Sequence, residues 1–278
     1  MIKTTGKYKS NVEHKKNWQG TLQQDNILKP TRVIIWDYRD KKYLETFWFS
    51  DVHLGHHACD ECMFLDNVKF VKDRKIPCAD LGDLIENATR DSVGAGVYEQ
   101  EEIAQQQLER AIEIYEPISK QIKVMQPGNH EMRTMNKSGI NLTRIMARML
   151  KVPYAGAGVM HYLLVGNQRY TGYSHHGGSG ATTVGGKLNA IKRPAGFIDA
   201  DFIISGHLHD CLYNSMDSFY LDKRDKTVKK RTKHLIQNGA YLDWWNTYGQ
   251  VKAYEPGTKG NALLIFDGNK KDIKVNFR

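Results

Sequence analysis

Five short polar motifs fall in one order along the chain: Asp51-Val52-His53, Gly82-Asp83-Leu84-Ile85-Glu86, Gly128-Asn129-His130-Glu131, His175-His176-Gly177-Gly178 and Gly206-His207-Leu208-His209. Together they offer imidazole nitrogens, carboxylates and one amide, enough ligands for two adjacent divalent metals. A binuclear site of this kind makes hydroxide from water near neutral pH and drives it into a phosphorus ester. Two ions carry four positive charges, and ionised Asp51 and Asp83 cancel half. The remainder attracts an anionic phosphate oxygen, and neutral imidazoles add ligands without cancelling more. Singly, each motif is weak. In this order, coincidence falls to something on the order of one in 10^5.

The elements that must position these residues can be read from hydropathy. Val33 to Trp36 and Tyr43 to Ser50 read as a β-hairpin whose second strand delivers Asp51. Phe64, Val68 and Val71 predict a helix over 61–73, broken at Ile76-Pro77. Ala79 to Leu81 reads as a strand leading to Gly82-Asp83. Tyr98 to Gln121 reads as a helix with Ile103, Leu108, Ile112 and Tyr115 on its apolar stripe and its glutamates and glutamines on the wet face. Ile122 to Met125 is a strand opening onto Gly128-Asn129, and Leu142 to Leu150 is a helix stopped near Pro153. A hairpin turning at Gly166-Asn167 feeds His175 and His176. Phe202 to Ser205 is a buried strand ending at Gly206-His207, and Ala262 to Phe266 pairs with Asp272 to Phe277. Strands alternate with helices first and dominate later, which fits two packed sheets with helices outside. Each motif follows a strand, where α/β proteins place their sites.

With these motifs in order from Asp51 to His209, the chain resembles the calcineurin-like metallophosphoesterases, whose pattern is D-x-H, G-D-x-x-D, G-N-H-E/D, a histidine before glycine, then G-H-x-H. The resemblance implies a four-layer α/β/β/α sandwich, placed over residues 31–278, while the polar, lysine-bearing residues 1–30 read as an N-terminal basic arm. It implies one metal held by Asp51, His53, Asp83 and His209 and a second by Asp83, Asn129, His176 and His207, with Asp83 shared between them. A hydroxide bridging the two would attack phosphorus. His130 matches the family's catalytic histidine and would protonate the leaving oxygen. Glu86 stands where the family usually has Asp, and Glu131 fits the third motif; either could orient a ligand or the imidazole. Arg133 could clamp phosphate, with a solvated surface charge as its plainer reading. His175 and His176 compete as ligand; the His-Gly-Gly form favours His176 and leaves His175 for substrate or supporting contact. His56 and His57 could border the pocket.

Histidine with carboxylate suits Mn, Fe, Zn, Co or Ni alike, with availability deciding occupancy; Mn2+ is the expected occupant. Protein phosphatases of this superfamily carry Asp-Arg-Gly where this chain has Glu86-Asn87-Ala88, which argues against a phosphoprotein substrate. The net charge of +9 favours an anionic partner. The excess sits in Lys3, Lys7, Lys9, Lys15, Lys16 and Lys29, and in a cluster from Lys223 to Lys233. A phosphodiesterase acting on nucleic acid or nucleotides is therefore the expectation. A phosphomonoesterase and a catalytically silent nucleic-acid-binding module are the alternatives, and Trp244-Trp245 with Tyr241 and Tyr248 could stack bases. Asp51 to His57 and the long segment Gly82 to Gln100 also look similar to phage-encoded members, which would place the protein in a bacterial or phage-infected cytoplasm.

Composition sets the outer bounds. At 278 residues, 40% hydrophobic and 26% charged, the chain is ordinary for a globular domain. No apolar run is long enough to suggest a membrane span or a secretory leader. The four cysteines are too few to staple it. His56-His57-Ala58-Cys59-Asp60-Glu61-Cys62 crowds possible zinc ligands, but without a second C-x-x-C it reads as ordinary thiols near a helix start.

Overall fold

The computed structural model describes residues 30–90, 92 and 96–278. The basic arm expected over the N-terminus falls outside the described residues except for Pro30. Two mixed sheets pack face to face. The first has six strands in the order β1 (Thr31–Tyr38), β5 (Ala155–Val165), β6 (Gln168–His175), β7 (Phe202–Ser205), β9 (Thr227–Gln237) and β8 (Leu212–Asp222). The second has five, β11 (Ile273–Phe277), β10 (Ala262–Asp267), β2 (Tyr43–Phe49), β3 (Cys78–Asp80) and β4 (Ile122–Met125). Trp36, Leu163, Tyr170 and Phe202 of the first meet Trp48, Leu264 and Phe266 of the second in a closed core. Trp36 and Trp48 stack across it at 5.5 Å between centroids.

The second sheet's outer face is covered by α1 (Glu61–Arg74), α2 (Ala104–Tyr115) and α4 (Leu142–Leu150), whose Phe64, Val71, Ala111, Tyr115 and Met146 pack with Phe47 and Phe49. On the first sheet's outer face α5 (Val184–Lys192) seats Ile191 with Ile203 and Leu235. A further helix, α3 (Asn129–Ser138), starts inside the third motif. This is the α/β/β/α arrangement expected. No helix among the described residues is long and apolar enough to cross a membrane.

Two elements depart from expectation. Residues 31–38 and 43–49 are not hairpin partners: β1 pairs in parallel with β5, while β2 pairs with β10 and β3, so the turn between them crosses from one sheet to the other. Burying Trp36 and Trp48 from opposite sheets outweighs local pairing. The helix expected over 98–121 is confined to 104–115, followed by a 3-10 turn at Glu116–Ile118 that contains Pro117. Pro117 has no N–H to continue an α-helix. The N-terminal part is drawn off by tertiary bonds, including Glu101 N–H to the Gly55 carbonyl at 2.8 Å.

Candidate metal centre

Five strands run in parallel within their sheets and end at one edge, each followed by a motif. β2 delivers Asp51, β3 Asp83, β4 Asn129, β6 His176 and β7 His207. The loops after β2 and β3 are tied together by Asp51 N–H to Gly82 O (3.0 Å), His53 N–H to Asp83 O (3.0 Å) and Leu54 N–H to Leu84 O (2.9 Å). Asp51, His53, Asp83, His207 and His209 all take left-handed backbone conformations, with φ between 50° and 75°. Each such non-glycine residue costs about 1–2 kcal/mol, and strain concentrated this way marks a functional site.

The side chains converge. His53 Nε2 lies 3.2 Å from His209 Nε2, which lies 3.3 Å from Asp51 Oδ1. His176 Nε2 lies 3.1 Å from Asp83 Oδ2 and 3.0 Å from Asn129 Oδ1, and His207 Nδ1 lies 2.7 Å from the same amide oxygen. Three groups of ligand atoms, each within 4.8 Å, result: Asp51, His53 and His209; His53, Asp83 and His130; Asp83, His176 and His207. None among the described residues includes a cysteine. Cys59 donates to Val52 O, and Cys62 is exposed.

These residues fit divalent metals. Asp83 Oδ2 is buried and has no hydrogen-bond partner, although imidazole nitrogens surround it. Ligand atoms on one ion with bonds of ~2.0–2.2 Å stand roughly 3.0–3.5 Å apart, close to the spacing seen here. The far nitrogens are set for ligation: His53 Nδ1 faces Glu86 Oε2 at 2.9 Å and His176 Nδ1 faces Leu81 O at 3.0 Å, leaving each Nε2 to the site.

Supporting contacts fix the carboxylates. Glu131 accepts from the N–H groups of Gly128 (2.8 Å), Asp83 (3.0 Å) and Ile85 (3.2 Å), so it holds two motifs in register. The His207 N–H donates to both Asp51 oxygens at 2.9 Å, and Ser50 Oγ bonds the same carboxylate. Buried Asn261 takes the Ser50 N–H at 2.9 Å. Ser50 and Asn261 carry no motif signal; an interior asparagine is found only once its partners are known.

Burial alone would raise the Asp83 carboxyl and depress the His176 imidazole. Their mutual attraction wins, holding Asp83 well below the usual carboxylate range and raising His176 to about 10. His53 is pushed down to about 4, by burial first and the His130 charge second, and is a ready neutral ligand. Glu86 is lowered despite burial by its bonds to His130 and His53. For His130 burial pulls down, but Asp83 and Glu86 prevail and raise it. Its Nδ1 lies 2.7 Å from Glu86 O, and its Nε2 faces the pocket, 2.8 Å from Arg133 Nη2. Arg133 also reaches Glu86 O at 3.0 Å.

His175 is not brought to the centre. It ends β6 one residue before His176, its ring stacks on Tyr173, and it lines a separate cavity of about 200 Å³ below Gly177 and Gly178. Successive strand residues face opposite ways. His56 lines the main pocket, 3.6 Å from Glu99; exposed His57 instead bonds Glu99 O.

The basic stretch near the C-terminus forms the β8–β9 hairpin, and much of its charge is internally matched. Lys229 pairs with Asp222 and Asp225, Lys230 with Asp217, and Arg231 with Asp199 and Asp201. A cavity of about 850 Å³ beside it is lined by Arg231 with its partners Asp199 and Asp201, and by Lys230, Lys233 and Lys271. Of the aromatic cluster, Tyr241 is core, Trp245 is exposed, and Trp244 lines the main pocket; the Tyr248 side chain lies outside the described residues.

No protein-family model and no curated protein matches the chain. Solved structures similar to it include a metallophosphoesterase from Sphaerobacter thermophilus, at 13% identity over 84% of this chain and 87% of that one, with a TM-score of 0.40. The E. coli phosphoesterase Yfce is similar at 12% identity over 84% and 98%, with a TM-score of 0.41. A conserved uncharacterized protein from Streptococcus pneumoniae, described as a predicted phosphoesterase, shares 11% over 85% and 98%, with a TM-score of 0.34. At these scores the likeness is distant, and the chemistry of the site is read from its own side chains.

Proposed function

We propose that the protein is a binuclear metal-dependent phosphoester hydrolase, a phosphodiesterase acting on nucleic acid or nucleotides. One observation carries the reading: Asp83, whose buried Oδ2 accepts no hydrogen bond, is shared by two groups of ligand atoms. Asp51, His53, Asp83 and His209 would hold one ion, and Asp83, Asn129, His176 and His207 the other. Bound there, divalent ions lower the pKa of water and neutralise charge developing on a phosphoryl group.

The chain's own residues supply the rest. Glu86 and the Leu81 carbonyl fix the imidazole tautomers, so the ligands are oriented in advance. His130 is the proton donor to the leaving oxygen: Nδ1 is taken up by the Glu86 carbonyl, so proton exchange with the pocket runs through Nε2. Arg133, beside that nitrogen, is placed to meet a phosphate oxygen. The charge of +9 supports a polyanionic substrate.

The test is hydrolysis of bis-p-nitrophenyl phosphate against p-nitrophenyl phosphate with added Mn2+, in wild type, Asp83→Asn and His130→Ala. The diester should be preferred, Asp83→Asn should lose activity, and His130→Ala should lose less, because p-nitrophenolate leaves without a proton. Turnover of neither ester with any metal would leave the binding-module reading. Single-stranded, double-stranded and cyclic nucleotide substrates assayed across salt should show affinity falling steeply with ionic strength. A flat response would remove the nucleic-acid part alone.

A further inference from the structure

The pocket over the metal centre continues, as one cavity of about 370 Å³, from His130 and Arg133 to a wall formed by Leu242, Trp244 and Tyr254. That volume lies within the range of small-ligand sites, roughly 300–1,000 Å³. Trp244 is half-buried, and its indole N–H is taken up by the Tyr254 carbonyl at 2.9 Å. With its polar edge satisfied, what the indole has left to give a ligand is its rings, as π surface and apolar contact.

The wall is braced from several sides. Asp243 N–H donates to Ala58 O at 2.9 Å, Thr247 Oγ1 donates to Trp244 O at 2.8 Å, and Tyr254 N–H donates to Gly249 O at 2.9 Å. Lys259 pairs with Asp243 at 2.8 Å. A ring held this way loses little freedom when something stacks on it. Phosphate and sugar hydroxyls gain nothing from such a face, whereas every nucleobase has a flat surface to lay on it.

We propose that Trp244 is the stacking platform for a nucleobase of the substrate, so that the site selects nucleotidyl esters whose base is unpaired. This rests on the phosphoesterase reading above. A base inside a duplex would first have to leave its stack to reach a platform within the cavity, so single-stranded ends and mononucleotide esters are the favoured class.

The experiment compares thymidine 5′-(4-nitrophenyl phosphate) with methyl 4-nitrophenyl phosphate, which share a leaving group, in Mn2+-loaded wild type, Trp244→Ala and Trp244→Phe. Adenosine, which has no phosphate, is titrated calorimetrically into chelator-treated protein of each. Wild type should prefer the thymidyl ester, Trp244→Ala should reduce that preference about 5- to 150-fold, and Trp244→Phe should retain most of it. Adenosine binding should weaken in the same order. An unchanged ratio in Trp244→Ala, with both esters still hydrolysed, overturns the platform and leaves the hydrolase intact. If wild type hydrolyses neither ester, the hydrolase reading falls. Adenosine binding then decides alone: weakening by Trp244→Ala supports the platform, and no change overturns it.

Discussion

His176 Nε2 sits 3.1 Å from Asp83 Oδ2, and that carboxylate raises the imidazole to about 10 against a burial that pulls it down. Without metal, His176 therefore holds a proton at pH 7, which a divalent ion bound as proposed would have to displace. Metal affinity should rise about tenfold per pH unit between pH 7 and 9, and calorimetry in buffers of different ionisation enthalpy should register the released proton. A folded pKa above the unfolded one stabilises fully below about 6.5 and is lost as pH rises through about 10. The melting temperature of metal-free protein should thus decline over that window while metal-loaded protein holds. Affinity independent of pH would remove His176 from the ligand set.

Glu86 touches no expected metal position, yet its Oε2 lies 2.9 Å from His53 Nδ1 and 3.2 Å from His130 Nδ1. Glu86→Gln keeps the shape and removes the charge that orients both rings. Supporting partners of this kind contribute about 10–100-fold to metal affinity or activity, so competition with a chromogenic chelator should show weakening of that order. Equal affinity in the variant would reduce Glu86 to a buried structural acid.

The site was legible where its signals are local. Asp60 caps α1 through the Met63 N–H, Lys75 ends it in a left-handed turn, and its apolar spacing fits one face. β7 spans four buried residues directly before Gly206-His207. Illegible were features that depend on distant partners. Gln107, expected on a wet face, is fully buried, and its amide bonds Asn87 N–H and Glu102 O, each at 2.7 Å. It fills a polar interior that hydropathy periodicity does not register. The left-handed backbone at Asp51, His53 and Asp83 is equally silent, because the type of residue needed for chemistry masks the conformation needed to aim it.

Two glycines set how closely the second and third motifs approach. Gly82 has φ +99°, and a Cβ there would stand 2.1 Å from the Gly128 nitrogen; a Cβ on Gly128 would stand 2.1 Å from Asp83 Oδ1. The neighbour of Gly82 is backbone, and a Cβ on Gly128 would also stand 2.3 Å from the Asp83 backbone nitrogen, which cannot swing away. Gly128→Ala should therefore displace the Asp83 carboxylate, lowering metal affinity, and destabilise the fold by about 1–3 kcal/mol. Chemical denaturation and metal titration check the two effects separately. Gly139→Ala is the control for an added methyl, since its Cβ meets nothing within 4 Å despite φ +74°; it should leave metal affinity unchanged.

In the proposed hydrolysis, His130 and Arg133 divide one task between proton and charge. His130→Ala should lower kcat by about 10²–10⁴ for esters of alkyl alcohols. It should do less for esters of p-nitrophenol, whose anion leaves without a proton. Arg133 Nη2, 2.8 Å from His130 Nε2, works against the two carboxylates that raise the imidazole. Arg133→Ala removes that opposition, so the imidazole should keep its proton to higher pH. A general acid works protonated and fails above its pKa, so the alkaline limb of kcat should move upward in Arg133→Ala and vanish in His130→Ala. A limb that stays put in both variants would belong to some other group, and His130 would lose its role as proton donor.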